Sequence, residues 1–92
     1  MGFPTSPVQT PLSSVLNITA ATLVKVGGGF VYAVGTTTGP CTLNDSATVA
    51  GVAAGNLIGT TATATGITQV NFKFNNGLVI TPAAGVASVS FE

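Results

Sequence analysis

The chain has 92 residues and four charged side chains, Lys25, Lys73, Asp45 and Glu92, with no His, Arg or Trp and a single Cys. This leaves no His for a Ser or Cys triad, no ligand set for zinc and no neighbouring carboxylate pair for glycoside hydrolysis, so neither catalysis nor a cofactor is expected. Two lysines do not neutralise a phosphate backbone, and the richest apolar stretch, residues 20–34, is broken by Lys25 and Gly27-Gly28-Gly29, so neither a nucleic acid nor a membrane is an expected partner.

Residues 1–14, MGFPTSPVQTPLSS, carry Pro4, Pro7 and Pro11. Prolines at this density block a helix and a central strand, so the segment reads as an extended arm with a polyproline-II bias. Its apolar side chains Phe3, Val8 and Leu12 lie between the prolines, and Phe3, Pro4, Pro7, Val8, Pro11 and Leu12 are the expected contacts with a neighbouring subunit. No basic region followed by an apolar stretch is present, so no secretory signal is expected.

Residues 15–92 read as one β-domain, because Thr and Val dominate and Gly, Pro and Asn punctuate at short intervals. A first strand is predicted over residues 16–26, with Leu16, Ile18, Ala20, Thr22, Val24 and Val26 on one face. Gly27-Gly28-Gly29 turns the chain into a strand over residues 30–34, whose apolar run suggests burial on both faces. Residues 35–40 read as a polar loop, residues 41–44 as a short strand ended by Asp45-Ser46, and residues 48–52 as another short strand. Residues 57–61 form a strand after Gly55-Asn56, and the low-complexity run over residues 60–66 reads as an exposed loop or edge.

Residues 68–74 show the clearest alternation. Thr68, Val70, Phe72 and Phe74 are expected inward and Ile67, Gln69, Asn71 and Lys73 outward. Asn75-Asn76-Gly77 signals a turn, through the tolerance of Asn and Gly for positive φ. Residues 78–81 form a strand stopped by Pro82. Residues 86–91 close the domain, with Ala87, Val89 and Phe91 inward and Ser88 and Ser90 outward. Seven to eight short strands at this spacing predict an all-β fold, a small antiparallel β-sandwich of jelly-roll or Greek-key-like type.

Isolated motifs carry little. Met1-Gly2 followed by Ser6, the Asn17-Ile18-Thr19 and Asn44-Asp45-Ser46 sequons, and Pro4-Thr5-Ser6-Pro7 all lack the context their chemistry needs. Cys41 reads as a small buried hydrophobe with no cause for a depressed thiol pKa. Asp45 reads as a turn residue or a partner of Lys25 or Lys73, with a shared calcium ion the rival role.

Charged residues make up 4% of the chain, against about 25% in ordinary soluble domains. A chain this short buries only about 60% of the surface its unfolded form exposes, and one Cys makes no internal disulfide. Assembly is the remaining route to stability, and much of the uncharged surface is expected to be covered by neighbouring subunits.

The segments Thr42-Leu43-Asn44-Asp45, Phe74-Asn75-Asn76-Gly77-Leu78 and Ala87-Ser88-Val89-Ser90-Phe91 resemble a recurring pattern in small single-domain structural proteins of tailed-phage virions, several of them capsid decoration (cement) proteins. The resemblance implies a sandwich or jelly-roll-like fold, frequent homotrimers, and a seat on the capsid or tail surface against the major capsid protein or another virion protein. The near-absence of charge and the Pro-rich arm depart from that pattern. The expected role is therefore non-enzymatic capsid decoration and stabilisation. The alternatives are a tail or fibre component and a carbohydrate- or receptor-binding module built on Tyr32 and five Phe.

Overall fold

The computed structural model describes residues 13–61 and 65–92. The arm contacts expected at Phe3, Pro4, Pro7, Val8, Pro11 and Leu12 lie outside the described residues. The fold is all-β, a single antiparallel sheet of six strands: β1 (Ser13–Ile18), β2 (Thr22–Val26), β3 (Gly29–Asp45), β4 (Leu57–Thr60), β5 (Gly66–Phe74) and β6 (Gly77–Phe91). Besides the strands, the described residues hold one 3-10 turn, Ala54–Asn56. Seven to eight short strands were too many, because two of the six are long.

The long strands arise where the sequence suggested breaks. β3 runs through the expected loop over residues 35–40, and β6 runs through Pro82, which stands opposite Cys41. Pairing between the two continues from Val31↔Phe91 to Asp45↔Leu78, with register shifts around Thr38. Gly39 and Gly85 take positive φ there, 68° and 71°, while Pro40 and Pro82 withhold ladder donors. The signals that mark loops in a short-stranded domain here mark a bend in a continuous ribbon.

The bend follows from dimensions. A straight strand of 17 residues would be about 55 Å long. Yet Gly29, at one end of β3, pairs with Phe74, and the carboxylate of Asp45, at the other end, accepts hydrogen bonds from the backbone N–H groups of Asn75, Asn76 and Gly77. Both ends of β3 therefore meet at one turn, and the ribbon folds back on itself. The bend divides the sheet into two halves. In the β1/β5 half, residues 29–36 of β3 pair with β5 and with residues 87–91 of β6, and β6 pairs with β1. In the β2/β4 half, residues 41–45 of β3 pair with β4 and with residues 78–82 of β6, and β6 pairs with β2.

One apolar core joins the halves. Val31, Val34, Phe74, Ala87, Val89 and Phe91 come from one half, and Cys41, Leu43, Leu78 and Ile80 from the other. Burying each of the larger side chains stabilises the fold by about 1.5–3 kcal/mol.

Several strand faces differ from expectation. The strand predicted over residues 16–26 is two strands, because the chain bends at residues 19–21 and Asn17 takes φ 59°. Asn17 sits in a bulge between Val15↔Val89 and Ile18↔Ala87, which turns Ile18 into the core and leaves Leu16 66% exposed. Val26 is exposed as well. Ser13 and Ser14, expected in the arm, already pair with Phe91 and Ser90. Residues 48–52 form turns rather than a strand.

In β5 the outward set is as expected, and Phe74 is buried, but Phe72 is 44% exposed. β5 is an edge strand, and four-residue β4 is too short to cover Phe72 from the other half. Asn71, with φ 51°, adds a bulge beside it. The turn after β5 is where it was predicted, for a different reason. None of Asn75, Asn76 and Gly77 has positive φ. Gly77 is needed because a Cβ there would overlap the carbonyl oxygen of Ser46 and lie 2.9 Å from that of Lys25.

Candidate functional site

The four charged side chains gather at one end of the molecule. Lys25 and Asp45 both stand opposite Leu78, Lys73 stands opposite Phe30, and the backbone of Glu92 exchanges hydrogen bonds of 2.8 and 3.0 Å with that of Phe30. Asp45 is a structural acceptor at this pole. Its oxygens receive the N–H of Asn75 at 2.9 Å, of Asn76 at 2.7 Å and of Gly77 at 3.3 Å. Burial pushes its carboxyl pKa up, but the three donors together outweigh burial and hold it below the ordinary value. Sequence reasoning gave Asp45 local or lysine partners; the donors lie about thirty residues away, beyond the reach of any local pattern. Among the described residues no group of three or more metal-ligating side chains forms around it.

Tyr32 belongs to the same pole. Its hydroxyl donates to Glu92 Oε1 at 3.0 Å, and its ring meets Phe30 edge-on with centroids 4.7 Å apart. Burial and the Glu92 carboxylate raise the phenol pKa. Cys41 is fully buried in the core, where burial pushes the thiol up to about 11, consistent with a packing residue rather than a nucleophile.

The two outer faces of the sheet differ. Behind the β2/β4 half, residues 46–56 fold over the strands. Asn44, 1% exposed, reaches out of β3 and donates to the carbonyl of Ala53 at 3.1 Å and to Asn56 Oδ1 at 2.9 Å. Asn56 in turn accepts from the Ala53 N–H and donates to the Gly51 carbonyl. Val79, in register with Asn44, is fully buried although it lies outside the central core. Around Asn44 and Val79 the outer face of this half is thus covered by its own chain, while Leu57 and Val26 at its edges stay exposed.

Behind the β1/β5 half no described segment lies over the strands. A trough of about 440 Å³ runs there, its floor made of Ala33, Gly35, Ser88 and Ser90 and its walls of Leu16 from β1 and Ile67 from β5. Leu16 is 66% and Ile67 79% exposed. No charged side chain lines it. The outward Ser88 and Ser90 were legible as alternation. The walls were not recognised: Leu16 was placed on the same face as Ile18, and Ile67 was grouped with its polar outward neighbours. The available signal was a β-branched apolar residue on the outward parity of the most regular strand.

A second, smaller cleft of about 220 Å³ opens between β4 and β5, lined by Leu43, Ile58, Thr60, Gln69, Val70 and Phe72 among others.

Compared with known proteins, the chain matches no family model, no curated protein and no solved structure. The resemblance to phage decoration proteins rests on the sequence segments that suggested it.

Proposed function

We propose that this chain is a non-catalytic structural protein that works by assembling, of the kind that decorates and stabilises a phage capsid. Its folded-over sheet would act as a small β-sandwich seated over a joint between capsid subunits, as a homo-oligomer, with a homotrimer the favoured state. The observation that carries the reading is the distribution of polarity. All four charges lie at one pole, while the outer face of the β1/β5 half is an uncharged trough flanked by exposed Leu16 and Ile67. An isolated domain gains nothing from such a face, and large exposed apolar features rimmed by neutral residues mark interaction surfaces. The test has two parts: light scattering of the purified chain at micromolar concentration, and a count of its copies in purified particles. Assembly in solution and hundreds of copies per particle are expected. A monomer at all concentrations that is absent from particles would overturn the reading, and a handful of copies would place the chain in a tail or fibre instead.

A second reading, a carbohydrate- or receptor-binding module, draws on the β4/β5 cleft, where half-exposed Phe72 stands beside Gln69 and Thr60. Phe72→Ala separates the two. It would abolish glycan binding under this reading and leave particle attachment unchanged under the first.

A further inference from the structure

We propose that the trough behind the β1/β5 half is the seat of residues 1–12 from a second copy of this chain. The proposal rests on the assembly reading above and names the contact that would produce it.

The first argument is the contrast between the faces. In the β2/β4 half, Asn44 ties residues 53–56 over the outer face beside buried Val79, whereas Leu16 and Ile67 stand uncovered on either side of a floor of small residues. A floor of Ala33, Gly35, Ser88 and Ser90 lets a backbone approach closely, and the two larger side chains bound it laterally.

The second argument is chemical fit. An extended segment laid on an apolar floor must not leave N–H groups without acceptors. Residues 1–12 include Pro4, Pro7 and Pro11, which have no N–H, and they carry no charged side chain to meet a trough that has none. Phe3, Val8 and Leu12 supply the apolar contacts that Leu16 and Ile67 lack. Prolines also reduce the freedom such a segment loses on docking.

The third argument is direction, and it selects a second copy over the chain's own trough. β1 starts with Ser13 opposite Phe91 and runs toward Ile18 opposite Ala87, so the chain enters the sheet from beyond the Ser90 end of the trough. To lie in its own trough, the preceding segment would have to reverse direction just before Ser13 and spend residues on a turn that the trough of a second copy does not require. Fully extended, twelve residues span at most about 40 Å, enough to reach a neighbouring domain.

The test uses the full chain. Ile67→Lys places a charge on an exposed wall. It is expected to weaken assembly at least tenfold in sedimentation velocity, with the circular dichroism spectrum unchanged, and Phe3→Ala should weaken it in the same direction. Independently, a Val8→Cys chain is mixed with an Ile67→Cys chain under mild oxidation; Cys41 is fully buried and stays out of the reaction. A covalent dimer several-fold more abundant in the mixture than in either variant alone is expected. If Ile67→Lys disrupts folding, this cross-link decides by itself. An assembled wild type with no excess cross-link and undiminished assembly of Ile67→Lys overturns the proposal while leaving the assembly reading intact. An internal disulfide in a dilute Val8→Cys/Ile67→Cys double variant overturns it in favour of the chain's own trough. A monomeric wild type removes the assembly reading and this contact with it.

Discussion

β6 passes through both halves of the sheet, and its outward residues meet opposite fates. Val79, in the β2/β4 half, is fully buried, whereas Ser88 and Ser90, in the β1/β5 half, line an open trough. The difference lies in what the rest of the chain supplies. Beside Val79, Asn44 and Asn56 tie residues 51–56 back onto β3, and no described segment is tied down in the same way beside Ser88. An outward position on a strand is therefore a statement about the sheet alone; whether it meets water depends on chain far away in sequence. Placing the same charge at each position breaks the comparison most sharply. Val79→Lys should cost about 3–5 kcal/mol, because it buries an unpaired charge, and should sharply lower the melting temperature of a domain of ordinary stability, about 5–15 kcal/mol. Ser88→Lys should change the isolated domain's stability by no more than about 0.5 kcal/mol while weakening assembly. Equal melting temperatures for the two variants would show that the 46–56 segment is no roof.

Glycines sharpen the same contrast at smaller amplitude. Gly77 begins β6 where three segments converge, and a methyl there meets the backbone oxygens of Ser46 and Lys25. Backbone atoms on two sides cannot both yield, so Gly77→Ala should destabilise by about 1–3 kcal/mol. On the short edge strand β4, a Cβ on Gly59 meets nothing within 4 Å. Gly59→Ala should be neutral or stabilise by up to about 1 kcal/mol, through the lower entropy of its unfolded chain. Denaturant midpoints measured side by side check the pair. A harmless Gly77→Ala would mean that the convergence of β2, residue 46 and β6 is looser than the structure describes.

The elements legible in the sequence were those whose signals are local. The outward set Ile67, Gln69, Asn71 and Lys73, the outward Ser88 and Ser90 and the burial of Cys41 all follow from short-range patterns; the turn at Asn75-Asn76 was placed by composition but is held by Asp45 and the close approach at Gly77. The bend was not legible, because Gly39-Pro40 and Pro82 mean a loop in one context and a corner of a continuous ribbon in another. Ribbon pairing over forty residues decides which, and no window of sequence contains it. Bulges had the same effect on faces. Asn17 adds one residue to β1, and a strict period of two then assigns Leu16 and Ile18 to the same side when the structure separates them. Phe72 was given a core place by parity, but parity says nothing of whether a partner strand extends far enough to cover it.

The Asp45 tie joins the two ends of the bent β3 strand and has a pH signature. Its folded pKa is depressed, so its contribution is fully present above the unfolded value of about 3.9 and is lost as pH falls through the folded value. At neutral pH the wild type should melt above Asp45→Asn, by under about 1 kcal/mol because the carboxylate is open to water. The gap should close as the solution is acidified below about pH 4. A gap that widened on acidification would reverse the sign and mean that the carboxylate is not the form that holds the turn.

The smallest expected effect is that of salt on assembly, and it bears on which end of the molecule makes the contact. The charged pole holds Lys25, Lys73, Asp45 and Glu92 around Phe30 and Leu78, and the trough holds no charge. Raising ionic strength from about 0.05 to about 1 M shortens the screening length from roughly 14 Å to 3 Å, which removes most attraction between exposed charges. An interface built on the trough has no such attraction to lose, while apolar contact is little weakened by simple salt. The assembly constant from light scattering should therefore stay within about threefold across that range. A drop of tenfold or more would locate the contact at the charged pole. In that case Lys73→Gln, on the exposed side of β5, should weaken assembly at low salt and remove its salt dependence, while Ile67→Lys should leave assembly as it was.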